Sequence, residues 1–375
     1  MMIENVGYVK VKKTIIHIIP YYDSQYGGPP NVAKSLNDFL NLDKLYESKI
    51  LTTAKNKKST KTEKFFKLTT TKFWFSFDYM INSINYIKNS DFVIVHGMYT
   101  FVSFWGSFIS FIFHKKVFII PHGMFDKDSI DSNGFLKNVL RKLYLYTIGY
   151  FQVKTSKKII FNSTKEMNNS IFNKNSMIIP NGVDLKYIEN IKCDKYFFND
   201  SKISLFYLGR INHIKGIELI IDAINDLADD IKDKLEFIVS GSGNREYVKY
   251  LKSKSNLKII KFVGHVNDNE KYCYLKQCDI YLQPSKTEGM SISMLEALAC
   301  KVNMITTNKV GLFDELKKNK AAKVIGYDKE QLKDAIIELI RENTHFKEQG
   351  YKMIKKHYDW NFIVNKYKKL IMDCK

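Results

Sequence analysis

"ISLFYLGRINHIKGIELIIDAINDLADDI", residues 203–231, decides the fold. A short apolar run rich in β-branched and aromatic residues ends at Gly209-Arg210. A basic loop follows, and then an amphipathic helical pattern with apolar residues at 217, 220, 221 and 224. A near-continuous apolar strand feeding a helix is the unit of a parallel sheet covered on both faces. The same unit recurs downstream. "LEFIVSGSG" (235–243) precedes "NREYVKYLKSKS", and "KIIKFVGHV", "DIYLQPS", the helix "SMLEALA" and "VNMITTN" follow in turn.

Upstream, the rhythm is already running. "TIIHII" (14–19) leads to "NVAKSLNDFLNL", and "DFVIVH" (91–96) to "YTFVSFWGSFISFIF". "KVFIIPHG" (116–123) leads to a long helical stretch, and "KIIFNS" (158–163) and "SMIIPNGVD" (176–184) close the half. The polar stretch 184–202 separates the two series. The expected architecture is therefore α/β, with two Rossmann-like, doubly wound parallel-sheet domains facing across a cleft. The first domain spans 1–185 and the second 186–357. A terminal amphipathic helix, about 358–375, crosses back to the first. In such sheets ligands bind outside the carboxyl ends of the strands.

Bulk numbers agree with this picture. A chain of 375 residues suits two domains, and 45% apolar content suits packed cores. The net charge is +20, with 25 basic against 13 acidic residues in 1–185 and 34 against 26 in the remainder. Such a charge suits nucleic acid, an anionic membrane or phosphorylated small molecules. No nucleic-acid-binding motif is interleaved with the basic residues, so nucleic acid is not the expected partner. Five cysteines without a C-x-x-C pair predict neither a disulfide nor a zinc site, as in a reducing cytosol. The apolar N-terminal piece is short and interrupted by His17 and Pro20, unlike a signal peptide. Residues 92–113 carry no charge and match a membrane span in length, but His96-Gly97 divides them into a strand and a helix.

The unusual residues fall at strand ends. Gly27 and Gly28 follow the first strand and precede a helix that begins near Asn31, where backbone N–H groups can approach an anion. Arg210 and Lys215 share one strand–helix loop, and a planar fork with a point charge suits a diphosphate. "SGSG" (240–243) supplies backbone groups after another strand. In "PSKTEGMSISMLEALA" (284–299), Glu288 lies on a loop and Glu296 in a largely apolar helix. Two carboxylates so placed can accept hydrogen bonds from different hydroxyls of one ligand.

Together these segments resemble the retaining nucleotide-sugar glycosyltransferases of the GT-B fold, glycosyltransferase family four. "GGPP", "PHGM", "PNGVD", "GRINHIKG", "SGSG", "FVGHV", "DIYLQPS" and "EGMSISMLEALA" occur in the family's order along nearly the whole chain. The resemblance implies that Arg210 and Lys215 bind the donor diphosphate, Glu288 the transferred sugar and Glu296 the ribose. His122 of "PHG" matches the family's histidine near the donor sugar. The implied catalytic set is His122, Glu288, Arg210 and Lys215. The implied donor set is Gly27, Gly28, Arg210, Lys215, Gly241, Glu288, Gly289, Met290, Ser291 and Glu296. His96 is placed on the acceptor side, whereas His17, inside the first strand, reads as structural.

The implied donor is a UDP- or GDP-sugar and the acceptor a glycan or lipid-linked saccharide, with no cofactor and no metal. "DKD" (126–128) matches a metal-binding Asp-x-Asp of another glycosyltransferase fold and reads as coincidence. The implied setting is bacterial surface polysaccharide synthesis in the cytoplasm, peripheral on the inner face of the cell membrane. Residues 55–88 join lysines to Phe65, Phe66, Phe73, Trp74, Phe75 and Phe77, which suits an anionic membrane surface. Two departures from the family pattern stand out: Lys301 and Asn303 where it has Gly and Pro, and Ser291 after Glu-Gly-Met. Competing readings are a nucleotide-sugar epimerase, a phosphorylase-like enzyme, and a non-catalytic nucleotide-sugar-binding component of a polysaccharide assembly complex. The retained Arg210, Lys215, Glu288 and Glu296 weigh against the last.

Overall fold

The structure, a computed structural model, describes residues 12–22, 28–127, 135–341 and 346–374. The chain divides into two compact units. Unit 1 runs to Phe161 and adds Glu166–Ile179 and the chain from Val364; unit 2 comprises Asn162–Lys165 and Pro180–Ile363. The last helix, Trp360–Asp373, therefore starts in unit 2 and continues in unit 1.

Unit 1 carries strands β1 (Lys13–Tyr21), β2 (Tyr46–Ala54), β3 (Glu63–Lys67), β4 (Phe92–His96), β5 (Lys116–Ile120), β6 (Lys158–Phe161) and β7 (Ser176–Ile178). Among the described residues they form one parallel sheet in the order β3-β2-β1-β4-β5-β6-β7. Strand order reverses between β1 and β4. The two central strands are buried on both faces. Ile16, Ile18, Val93 and Val95 enter one core, while Ile15, Ile19 and Ile94 are buried on the other side. This explains the near-continuous apolar runs.

Unit 2 repeats the plan with β8 (Ile203–Leu208), β9 (Leu235–Ser240), β10 (Ile260–Gly264), β11 (Ile280–Gln283), β12 (Asn303–Thr307) and β13 (Lys323–Ile325), in the order β10-β9-β8-β11-β12-β13. Its switch point lies between β8 and β11. Leu205 and Tyr207 pack on one face with Phe237, Val239 and Leu282, and Phe206 on the other with Ile238 and Tyr281. The apolar stripe of "KGIELIIDAINDL" becomes the helix Ile217–Asn225, which buries Ile217, Ile220, Ile221 and Ile224.

The structure corrects the sequence reading at three places. Within 55–88, read above as suited to a membrane surface, lies β3, a charged edge strand; its Phe66 is buried in the core rather than offered to a membrane. Edge strands are commonly short and lysine-bearing, and so carry little strand signal. β2, "YESKILTTA", likewise has too mixed a pattern to read as a strand. Third, Cys193 and Cys273 form a disulfide, with Cα atoms 5.5 Å apart, although no disulfide is expected from the spacing. The partners lie 80 residues apart, in the polar stretch before β8 and in the helix Asp268–Gln277, so no local motif announces them. The uncharged stretch 92–113 is β4 followed by the helix Phe101–Ile112. No helix of the described residues is long and apolar enough to cross a membrane.

Candidate functional site

In unit 2, the loops after β8 and β11 flank the switch point, and each delivers one member of an ion pair. Lys215 ends a short 3-10 turn, His213–Lys215, that Asn212 caps through a hydrogen bond from the Ile214 N–H. Gly216 then takes φ +76°, and a Cβ there would stand 2.0 Å from the Pro284 carbonyl oxygen. A glycine is thus required for the β8 loop to lie on the β11 loop. The Lys286 N–H donates to the Ile214 carbonyl across the same contact, at 2.7 Å. The result is that the Lys215 ammonium hydrogen-bonds the Glu288 carboxylate, both side chains being largely buried. Glu288 is fixed from its other side too: its N–H donates to Lys309 and its carbonyl accepts from Gly311. Arg210 stays exposed, and its guanidinium makes no ion pair or hydrogen bond among the described residues. Only its backbone carbonyl is engaged, accepting from the Tyr207 hydroxyl at 2.8 Å.

The second glutamate has different company. Glu296 is buried on the helix Ile292–Ala299. It accepts from the Tyr272 hydroxyl at 2.9 Å and pairs with Lys271 at 2.9 Å. Burial alone would pull the Lys271 ammonium down, but Glu296 and then Asp268 more than offset it, so it is held above its ordinary value. Burial and Glu296 push the Tyr272 hydroxyl up as well. Lys271 and Tyr272 thus hold the Glu296 carboxylate in position from two sides.

Ser291 precedes this helix, and its hydroxyl hydrogen-bonds Gln283 and Ser293, with Tyr281 joining the network. The departure at Ser291 is therefore absorbed by a local polar cluster. Lys301, where the family pattern has glycine, adopts φ +59°, the left-handed conformation that favours glycine. Gly241 is explained by packing. At φ +145° its Cβ would stand 1.7 Å from the Gly209 carbonyl oxygen, so the loops after β8 and β9 touch backbone to backbone. Gly289 has nothing within 4 Å of its Cβ position, and the Met290 sulfur accepts from the Asn181 N–H at 3.2 Å.

In unit 1, the residues at the switch point are histidines. His17 of β1, His96 at the end of β4 and His122 after β5 form a chain. His17 Nδ1 lies 3.0 Å from His96 Nε2, and His96 Nδ1 lies 3.1 Å from His122 Nε2. Burial pulls His17 and His122 down to about 3. Burial, followed by its two neighbours, lowers His96 well below the ordinary value. The rings are therefore neutral across the physiological range. His122 has φ +52°, and the Gly123 N–H after it donates to the buried Glu166 carboxylate at 2.5 Å.

Sequence reasoning missed Lys271, Tyr272, Glu166 and the part played by His17. The only available signal for His17 was a polar ring inside an otherwise apolar strand, at the register position of Ile94 on β4. Gly28 begins the helix Gly28–Asn41, while Gly27 lies outside the described residues. Asp126 bridges Ser170 by backbone pairing, and Asp128 of "DKD" lies outside the described residues.

The family model described as "Glycosyl transferases group 1" matches residues 189–359, the segment that holds Arg210, Lys215, Glu288 and Glu296. The chain is 31% identical over 269 residues to MJ1069, an uncharacterized glycosyltransferase of Methanocaldococcus jannaschii, a match covering 68% of each protein. It is 28% identical over 240 residues to CapH, a capsular polysaccharide biosynthesis glycosyltransferase of Staphylococcus aureus, covering 62% of this chain and 64% of that one. Among solved structures, Alr3699/HepE of Anabaena in complex with UDP and glucose has a TM-score of 0.73 at 13% identity, over 96% of this chain and 100% of that one. That likeness concerns the fold, the paired Rossmann-like sheets of the GT-B class. On the strength of a relative 31% identical over two thirds of both proteins, together with the group 1 match over residues 189–359, the chain belongs to the group 1 glycosyltransferases.

Proposed function

We propose that this glycosyltransferase moves a hexose-type sugar, with retention of anomeric configuration, from a UDP- or GDP-sugar to a glycan or lipid-linked saccharide in surface polysaccharide synthesis. The observation that carries the reading is the Lys215–Glu288 pair at the β8/β11 switch point, with Arg210 on the same loop as Lys215 and its guanidinium without a partner among the described residues. A donor diphosphate would take both cations in charge-assisted hydrogen bonds. Lys215 would then release Glu288 to accept from a hydroxyl of the transferred sugar. Glu296, held ready by Lys271 and Tyr272, would accept from the ribose diol. The relative CapH supports a polysaccharide setting, and the UDP complex of the Anabaena neighbour supports a nucleotide-sugar donor.

In the proposed reaction, the acceptor hydroxyl attacks the anomeric carbon from the face that the diphosphate leaves, and a leaving phosphate oxygen takes its proton. The bond from the anomeric carbon to that phosphate oxygen breaks as the new glycosidic bond forms. The enzyme stabilises negative charge on the departing diphosphate and holds the geometry. Arg210 and Lys215 supply the opposing positive charge, so no metal is required. His122, neutral, donates to or accepts from the sugar. The exposed Phe73, Phe77 and Ile81, with the lysines of 55–64, support peripheral attachment to an anionic cytoplasmic membrane face, where a lipid-linked acceptor would be met.

The test is a panel of nucleotide sugars followed by thermal unfolding and by nucleotide release. One UDP- or GDP-sugar should raise the midpoint by mass action. Release of its nucleotide should continue nearly unchanged in excess EDTA and fall by roughly two to three powers of ten in Arg210→Ala. A panel with no stabilising nucleotide sugar, or a rate abolished by EDTA and restored by manganese, would overturn the reading.

A further inference from the structure

Three imidazoles joined end to end, His17 and His96 buried and His122 half-buried, have a property that none has alone. Each neutral ring carries one N–H, on Nδ1 or on Nε2. Each of the two contacts, His17 Nδ1···His96 Nε2 and His96 Nδ1···His122 Nε2, needs one proton between its nitrogens. If His96 carries its proton on Nδ1, it donates to His122 Nε2, so His122 must carry its own on Nδ1. His96 Nε2 must then accept from His17 Nδ1–H. If His96 carries its proton on Nε2, every ring must carry it there. Only two patterns satisfy both contacts, all Nδ1–H or all Nε2–H, and the three rings switch together.

The buried end of the chain distinguishes the two. His17 is fully buried, and its Nε2 has no hydrogen-bond partner among the described residues. The all-Nε2–H pattern would leave an N–H there with nothing to receive it. The all-Nδ1–H pattern leaves only a lone pair. Orphaned buried N–H groups are rarer than under-satisfied acceptors, so the second pattern costs less. We propose that His17 and His96 are positioning residues that lock His122 in its Nδ1–H tautomer, so that His122 presents a hydrogen-bond donor, and not a lone pair, at Nδ1. The His96 and His122 rings lie 18° from parallel with centroids 5.4 Å apart, the edge-to-edge arrangement in which the Nδ1···Nε2 contact runs near both ring planes, as the lock requires.

The chemical consequence rests on the glycosyl-transfer reading above. A neutral N–H at His122 suits an oxygen of the bound sugar as an acceptor, and it excludes His122 from serving as a base through Nδ1. His17, in the middle of an apolar strand, then has a reason to be histidine.

The test is long-range 1H–15N correlation of the imidazoles in protein labelled with 15N-histidine, with the His122 and His96 signals assigned by their loss in single variants. The lock predicts the Nδ1–H signature for His17, His96 and His122 in the unmodified enzyme. His17→Phe should leave His96 and His122 as tautomer mixtures and lower kcat about ten-fold, less than the loss of a whole transition-state donor, with the donor KM little changed. His17→Asn places an amide N–H where Nδ1 stood, and should restore both the His122 signature and most of kcat. An Nε2–H signature at His122 in the unmodified enzyme would overturn the proposal, as would a His122 tautomer indifferent to His17→Phe. The spectra need no turnover, so an enzyme inactive with every nucleotide sugar but showing three Nδ1–H rings contradicts the function and leaves the lock standing.

Discussion

Glu288 and Glu296 are both carboxylates at the same switch point, yet they face different surroundings and should fail differently. Glu288→Ala frees Lys215 from its ion pair and removes the proposed contact to the transferred sugar, so both donor binding and turnover should fall. Glu296→Ala should mainly raise the donor KM. Each lost contact is worth on the order of 1–3 kcal/mol, and steady-state kinetics with a natural acceptor separates the two outcomes. Unchanged kinetics in Glu288→Ala would remove that residue from the site. The histidines predict a pH effect. The folded value of His17 lies near 3, below its unfolded value near 6.5. The unfolded chain therefore binds the extra proton in that window, and stability should be full above pH ~6.5 and fall as pH drops toward ~3. Urea unfolding across this window should give a shallower slope in His17→Phe, and an identical slope would contradict the burial. Arg210, Lys215 and both glutamates stand out in sequence by type and spacing, and the structure pairs Lys215 with Glu288 and buries Glu296. His17, Lys271 and Glu166 do not stand out, because their roles come from neighbours far away in the chain.

At the scale of elements, the loops after β8, β9 and β11 define unit 2's candidate groups, and glycines determine how closely they approach. Gly241→Ala must push a Cβ into the Gly209 carbonyl at an unfavourable φ, and should destabilise by about 2–4 kcal/mol, read by chemical denaturation. Gly289→Ala meets open space, so its stability should stay within about 0.5 kcal/mol. A rise in its donor KM would then report close approach of the ligand to that backbone. Equal destabilisation of the two variants would contradict this distinction. The strands on either side of each switch point were readable because burial on both faces makes them continuously apolar. β2 and β3 were not, since distance from the centre of the sheet allows charged and mixed sequences. The Cys193–Cys273 pair has no local signature at all.

For the whole molecule, the excess of basic residues and the exposed apolar side chains converge on unit 1. Phe77, Leu140, Leu143 and Tyr146 are more than half exposed and Phe73 nearly so, and Arg141 and Lys142 lie beside Leu140 and Leu143 in the chain. Flotation with anionic vesicles should carry the protein, and neutral vesicles should not. The effect should vanish at high salt and when Lys55, Lys57, Lys58, Lys61 and Lys64 become Gln. Absence from every vesicle fraction would leave an enzyme that meets its acceptor away from the bilayer. The central claim is a retaining transfer driven by Arg210 and Lys215 without a metal. It is tested most directly by NMR of the anomeric proton in the product formed from an α-linked nucleotide sugar in excess EDTA. An α-linked product at an undiminished rate is the predicted result, and a β-linked product, or none until a divalent metal is restored, would contradict it.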